Sequence, residues 1–210
     1  MSGKLITLEG GEGAGKSTVL AALRELLVAR GVDVIVTREP GGTPAGEAIR
    51  TVLLDPAKKG LCAEAELLLM LAARAQLVRE VIQPALTEGR WVLSDRFTDA
   101  SYAYQGGGRG QPENRIADLE HWAAAGVTPD LTLLLDLAVA DGMKRANGRG
   151  VADRIEMENA DFFERVRASY RARAKAQPAR FRVIDASQPL QDVLGQVRRA
   201  VGEFLDGAAA

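Results

Sequence analysis

Gly10-Gly11-Glu12-Gly13-Ala14-Gly15-Lys16-Ser17 fits the pattern G-x-x-x-x-G-K-[ST], and its flanks decide what it means. Ahead of it, Lys4-Leu5-Ile6-Thr7-Leu8-Glu9 reads as a short buried strand. Behind it, Val19, Leu20, Leu23, Leu26 and Leu27 recur at helical spacing until Gly31 supplies a stop signal. A chance Gly-rich turn is the competing reading, and strand, glycine loop and helix in that order weigh against it. Glycines let successive backbone N–H groups converge on phosphate oxygens, and the helix N-terminus adds partial positive charge. In such a cradle Lys16 reaches the β- and γ-phosphates and the Ser17 hydroxyl ligates Mg²⁺. The stretch therefore implies binding of a nucleoside triphosphate.

Outward from the loop, apolar strands alternate with helical segments. Val32–Thr37, Trp91–Asp95, Leu131–Asp136 and Phe181–Asp185 read as four further strands. Helices are predicted near Gly46–Leu54, Glu64–Leu86 (ended or kinked by Pro84), Thr98–Gln105, Pro112–Ala125, Ala140–Ala146, Asp161–Gln177 and Pro189–Leu205. This alternation predicts an α/β fold: a five-stranded parallel sheet with helices on both faces, in one domain over residues 1–210. Four strands end in a carboxylate, namely Glu9, Asp95, Asp136 and Asp185, at the sheet edge where such folds bind ligands.

Composition narrows the class. The chain has 210 residues, 47% hydrophobic and 26% charged, with 27 basic against 28 acidic side chains. That balance gives no general nucleic-acid or membrane surface. No run reaches the roughly 18 apolar residues of a membrane span, and Met1-Ser2-Gly3-Lys4 opens no signal-peptide core. Cys62 is the single cysteine, so an intrachain disulfide is impossible and a cytoplasmic location is expected. Its default role is a small apolar filler. His121, the single histidine, reads as a helix-surface residue.

A second constellation offers places for an acceptor. Arg74 stands in the almost wholly apolar helix segment Leu67–Arg74, so its guanidinium either pairs with a structural carboxylate or points into a polar cavity. Asp95-Arg96 is either an ion pair at a strand end or, beside a phosphate cradle, a working pair. In the second case the carboxylate acts on Mg²⁺ or its waters and the arginine grips an acceptor phosphate. Ser101, Tyr104 and Gln105 follow at the same edge. Lys144–Arg154 breaks a helical pattern with glycines and cations, either as a basic flap for phosphoryl transfer or as a solvated loop. The cations between Arg165 and Arg182 read as a wet helix face, since Phe163, Val166, Tyr170 and Ala174 form the core stripe.

Taken together, Glu9–Thr18, Thr37–Thr43, Ala72-Ala73-Arg74, Asp95-Arg96-Phe97, Ala103–Gly110 and Asp153–Glu156 resemble the bacterial thymidylate kinases, with the similarity running from Lys4 to about Leu205. The resemblance implies the P-loop nucleoside monophosphate kinase fold. It also implies transfer of the ATP γ-phosphoryl to dTMP with Mg²⁺, by a homodimer with a flexible lid at about 144–155. The ATP-binding set it implies is Gly10, Gly11, Glu12, Gly13, Ala14, Gly15, Lys16, Ser17 and Thr18, with Ser187-Gln188-Pro189 near the adenine. On the acceptor side, Glu12 faces the 3′-hydroxyl, Arg96 grips the dTMP phosphate, and Arg38, Glu39 and Arg50 line the same region. Arg74 meets the thymine carbonyl edge, Ser101 and Gln105 complete base recognition, and Tyr104 lies against the sugar. Lys16, Arg149, Glu12 and Arg96 form the implied catalytic group, and Ser17 and Asp95 the metal group. Met70 stands where the family usually stacks a Phe on thymine, and Asn147 where relatives often carry a further lid arginine.

Two other classes stay in view. One is a kinase for a different pyrimidine monophosphate, such as dUMP. The other is a regulatory P-loop switch, although the chain contains no N-K-x-D string of the kind that reads guanine.

Overall fold

The computed structural model describes residues 3–146 and 152–209. Its sheet has five parallel strands: β1 (Leu5–Glu9), β2 (Val34–Arg38), β3 (Trp91–Asp95), β4 (Leu131–Asp136) and β5 (Phe181–Asp185). Their order is β2-β3-β1-β4-β5, which puts β1 in the centre. Alternate residues of the strands face opposite layers. Ile6, Leu8 and Leu93 pack with Val19, Leu23 and Leu27 of α1 (Lys16–Ala29) and with Val193, Val197 and Val201 near the chain's end. Leu5 and Val92 pack on the other side with Leu77, Val78 and Ile82. Both faces are covered, as the alternation of elements predicts.

From β1 the chain passes through α1 to β2, returns to β3, and then crosses to β4 on the far side of β1. Connections therefore diverge at the carboxyl end of β1, and a crevice opens there. The glycine loop occupies that crevice.

The remaining helices follow the predicted segments with altered ends. α2 (Pro44–Leu54) starts two residues early, because Thr43 accepts a hydrogen bond from the Gly46 N–H at 3.0 Å and Pro44 suits a first turn. α3 (Ala63–Leu77) does not stop at Pro84. A π-turn over Val78–Ile82, in which the Gln83 N–H reaches Val78 O, widens the helix and leads directly into α4 (Gln83–Thr87). The wider turn relieves the clash between a proline ring and the carbonyl four residues earlier. α5 (Thr98–Ser101) likewise continues as a π-segment to Gly108. A side chain on Gly108 would strike the Phe162 ring of the helix packed against it. The glycines there serve close approach between helices. α6 (Glu113–Ala123), α7 (Val139–Ala146), α8 (Ala160–Ala176) and α9 (Leu190–Ala209) complete the chain.

Two readings need correcting. Cys62 is no filler: it is exposed, at the N-cap of α3. Nor is the basic stretch on and after α8 wholly a wet face. Arg167 pairs with Asp136 at 2.7 Å, while Arg173 and Arg180 both pair with the fully buried Asp99 at 2.8 and 2.7 Å. A buried carboxylate needs such partners, and Asp99 was hidden in an undistinguished helical segment. His121 is exposed in the last turn of α6, as expected.

Candidate functional site

The glycine loop leaves β1 at Gly10 and enters α1 at Lys16, with Gly13 and Gly15 in the left-handed region at φ 72° and 91°. Only glycine adopts such angles freely. Gly13 has a second constraint: a Cβ there would collide with the Gly142 carbonyl of α7, and a Cβ on Gly142 would collide with Glu12 O. Two backbones thus touch where the helix before residues 147–151 meets the loop. Lys16 is buried, and its Nζ donates to Gly10 O at 3.1 Å and Gly11 O at 2.9 Å. Burial lowers its pKa, aided by Arg96 and opposed by nearby carboxylates.

A cleft opens over the loop. Gly13, Ala14, Gly15, Lys16 and Ser17 form its floor, while Arg38, Glu39, Arg50, Met70, Asp95, Arg96 and Tyr104 line the facing wall, and Glu12 lines it too. Arg96 is the centre of that wall. Its Nη2 donates to Glu12 Oε1 at 2.7 Å, and its Nη1 donates to Gly10 O at 3.0 Å and to the Tyr170 hydroxyl at 3.2 Å. The guanidinium also lies over the Tyr104 ring, 4.7 Å from its centroid, and the Tyr104 hydroxyl donates to the same Glu12 oxygen at 2.9 Å. Arg96 reaches this place with φ 70°, a conformation rare for a residue with a side chain. Arg38 pairs with Glu47 at 2.9 Å, and Arg50 donates at 2.8 Å to Pro40 O, the carbonyl that follows the cis peptide Glu39-Pro40.

Arg74, Ser101 and Gln105 do not line this cleft among the described residues. Arg74 is fully buried behind Glu39, with Nη2 2.6 Å from Glu39 Oε2. It also donates to Phe97 O and to the Ser101 hydroxyl, each at 3.0 Å. The structural carboxylate is thus its partner in this arrangement, and Glu39 in turn is part of the wall. Burial works against the Arg74 cation, but Glu39 reverses the balance and raises its pKa. Gln105 donates to the buried Glu66 at 2.9 Å, beside Arg109 and Arg154, which bind the same carboxylate. Arg149 lies outside the described residues.

Asp95 and Ser17 both line the cleft, and Asp95 Oδ1 is buried without a hydrogen-bond partner among the described residues. A hard cation with oxygen ligands fits that donor set. Beyond the loop, a second hollow is bounded by Ala14, Gly15, Thr18, Arg145, Ser187, Gln188 and Pro189. It adjoins the start of α1 on the side away from Arg96.

Several wall residues escape sequence reasoning. Asp153, Ile155 and Glu156 also line the cleft, brought there because Arg154 is buried and ties down to Glu66 and Leu53 O, at 2.6 and 2.7 Å. Their motif is visible in the sequence, but its contact is not. Tyr170 reads as a core residue, and the hydroxyl is the signal that it does more. Glu9, at the end of β1, is fully buried. Burial and the Asp99 charge raise its pKa to about 8, opposed by Tyr170, Arg96 and the Phe97 N–H.

A family profile described as thymidylate kinase matches residues 8–197. Among curated proteins, the chain is 54% identical to the thymidylate kinase of Pseudomonas syringae pv. tomato, with 98% of each chain covered. It is 55% identical to that of Halorhodospira halophila, covering 97% of this chain and 95% of the other. It is 53% identical to that of Alcanivorax borkumensis, covering 97% and 98%.

Proposed function

The chain belongs to the thymidylate kinase family, and from that premise we propose how its cleft carries out the phosphorylation of dTMP to dTDP with ATP. The observation that carries the reading is the meeting, in one cleft, of a floor of main-chain amides with a wall of guanidinium groups. Phosphoryl transfer needs little covalent chemistry from protein. It needs two anions held end to end and cations where charge develops.

On this reading the amides of Gly13 to Ser17 hold the ATP phosphates and Lys16 turns its ammonium from the Gly10 and Gly11 carbonyls to the transferring group. Thr18 and Ser187-Gln188-Pro189 border the adenine. Arg96 holds the dTMP phosphate, with Arg38 and Arg50 beside it, and Glu12 and Tyr104 meet the sugar. Met70 contacts the thymine. Arg74 meets the base through the one N–H of its five that is not already engaged, and Ser101 and Gln105 complete base recognition. Ser17 and Asp95 would hold Mg²⁺, which when bound neutralises charge on the β- and γ-phosphates. Arg149, in a lid at about 144–155 of this one domain, supplies a cation to the moving group.

Homodimerisation is part of the proposal. Val52 on α2, Leu68 on α3 and Trp122 on α6 are 38%, 56% and 75% exposed, and α3 packs against both other helices. Apolar side chains on adjoining helices suit a partner surface. A cytoplasmic site of action fits the lone cysteine and the nucleotide substrates, and no described helix is long and apolar enough to cross a membrane.

The test is ADP release from ATP against a panel of dTMP, dUMP, ribothymidine monophosphate and dCMP. Release that depends on dTMP, and exceeds that with the others, supports the reading. Release independent of any monophosphate would favour a nucleotide switch instead.

A further inference from the structure

We propose that Glu9 is a positioning residue for the acceptor arginine, holding at once the main chain just after Arg96 and, through Tyr170, the end of the Arg96 side chain. The inference rests on the reading of Arg96 as the grip on the acceptor phosphate.

Glu9 does not line the cleft among the described residues, so any influence on substrate passes through what it touches. It ends the central strand, where β1 and β3 run in register at Leu8 and Asp95. One residue further, the Arg96 N–H still bonds Leu8 O at 2.9 Å. There the ladder ends, because Arg96 turns into the left-handed region. The next N–H, that of Phe97, is fully buried and donates to Glu9 Oε1 at 2.8 Å. The other oxygen, Oε2, accepts from the Tyr170 hydroxyl at 2.7 Å, and the same hydroxyl accepts from Arg96 Nη1 at 3.2 Å.

One carboxyl group therefore anchors the main chain just after Arg96 and, through Tyr170, the tip of its side chain. A residue with a Cβ stays at positive φ only where its surroundings over-determine it; the Ser94 hydroxyl on Arg96 O and Arg74 on Phe97 O hold the turn's carbonyls, and Glu9 is the group that joins its main chain to the Arg96 side chain. An amide in its place keeps one acceptor oxygen, so either the Phe97 N–H or the Tyr170 hydroxyl loses its acceptor. Arg96 then keeps Gly10 O and Glu12, both of which draw it toward the loop.

The experiment compares Glu9→Gln, Tyr170→Phe and the double variant with the parent, by steady-state kinetics in both substrates and by thermal melting. The parent's dTMP-dependent ADP release tests the functional reading separately. We expect Glu9→Gln to raise the KM for dTMP about tenfold or more and to leave the KM for ATP within twofold. Tyr170→Phe raises the dTMP KM less, and the double variant is no worse than Glu9→Gln alone, because both act along one route. Equal effects on both substrates, or fully multiplied effects in the double variant, overturn the proposal. Should Glu9→Gln fail to give a cooperative melt, Tyr170→Phe decides: an unchanged dTMP KM overturns it, a selective rise supports it. A crystal structure of Tyr170→Phe or Glu9→Gln reads the inference without activity. Arg96 displaced from its parental conformation supports it, and Arg96 unmoved in both variants overturns it.

Discussion

The glycine loop and the wall facing it present positive charge to the same cleft, one with main chain and the other with side chains. Five residues of one contiguous stretch, Gly13 to Ser17, make the floor. The wall draws Arg38 and Glu39 from β2 and its loop, Arg50 from α2, Met70 from α3, Arg96 from the end of β3 and Tyr104 from the segment after α5. Main chain cannot be exchanged by mutation, but it is spoiled by any added atom. Side chains can be removed one at a time, and each removal should fall on one substrate. The difference teaches where to look: damage to the floor should appear in turnover and ATP, damage to the wall in the acceptor.

The floor carries a single cation, Lys16, and no arginine, so on the proposed mechanism the moving charge depends on Arg149. Arg149→Ala is expected to lower kcat by about 10³-fold or more with little change in nucleotide affinity. An unchanged kcat would remove that residue from the mechanism and leave the floor sufficient alone.

Gly13→Ala attacks the floor directly. The new methyl would meet the Gly142 carbonyl at a residue whose φ is 72°. Loop and α7 must then part, and a displacement of even about 1 Å costs roughly 10²-fold in a positioned reaction. The loss should appear in kcat and the KM for ATP, with the dTMP KM the lesser change. A variant as active as the parent would show that the backbone contact is not what sets the loop.

Arg96→Ala does the reverse. It removes charge-assisted hydrogen bonds worth about 1.5–3 kcal/mol each, so the KM for dTMP should rise about 10- to 100-fold while that for ATP moves far less. Equal rises would contradict a division of the cleft into two halves. The substitution also relieves no backbone penalty, because alanine at φ 70° is disfavoured for the same steric reason.

The same division explains what the sequence disclosed. The floor is legible because its elements are adjacent in the chain: an apolar strand, glycines and a helix can be read off one line. The five strands and their parallel order of layers follow from local apolar runs in the same way. Of the wall, Asp95-Arg96 stands out beside the glycine loop, but the rest is legible only through likeness to a family, because partners such as Arg96 and Tyr170 are 74 residues apart and meet only in three dimensions. Asp99 and Glu66 show the limit most plainly. Each is a buried carboxylate gathering two arginines, yet each sits in a helix with no local mark of that duty. Around Pro84 the helical stretch keeps its expected extent, ending at Thr87, but the π-turn that accommodates the ring is selected by packing and has no mark in the sequence.

Met70 offers the finest test, because it is the wall's one departure in kind. The side chain is 6% exposed and lines the cleft beside Glu39. A thioether touches an aromatic face with a gain of about 0.3–1.5 kcal/mol, but three rotatable bonds let it do so in many poses. A phenyl ring has two, and stacks with about 0.5–1.5 kcal/mol beyond its buried area. Met70→Phe is therefore expected to lower the KM for dTMP about two- to fivefold, because the ring gives the base a fixed plane. The ATP KM should stay where it is, since Met70 stands on the wall and the ATP phosphates are assigned to the loop from Gly13 to Ser17. A higher KM for dTMP would mean that the added volume overpacks the wall. Width, rather than stacking, would then be what the side chain at this position controls.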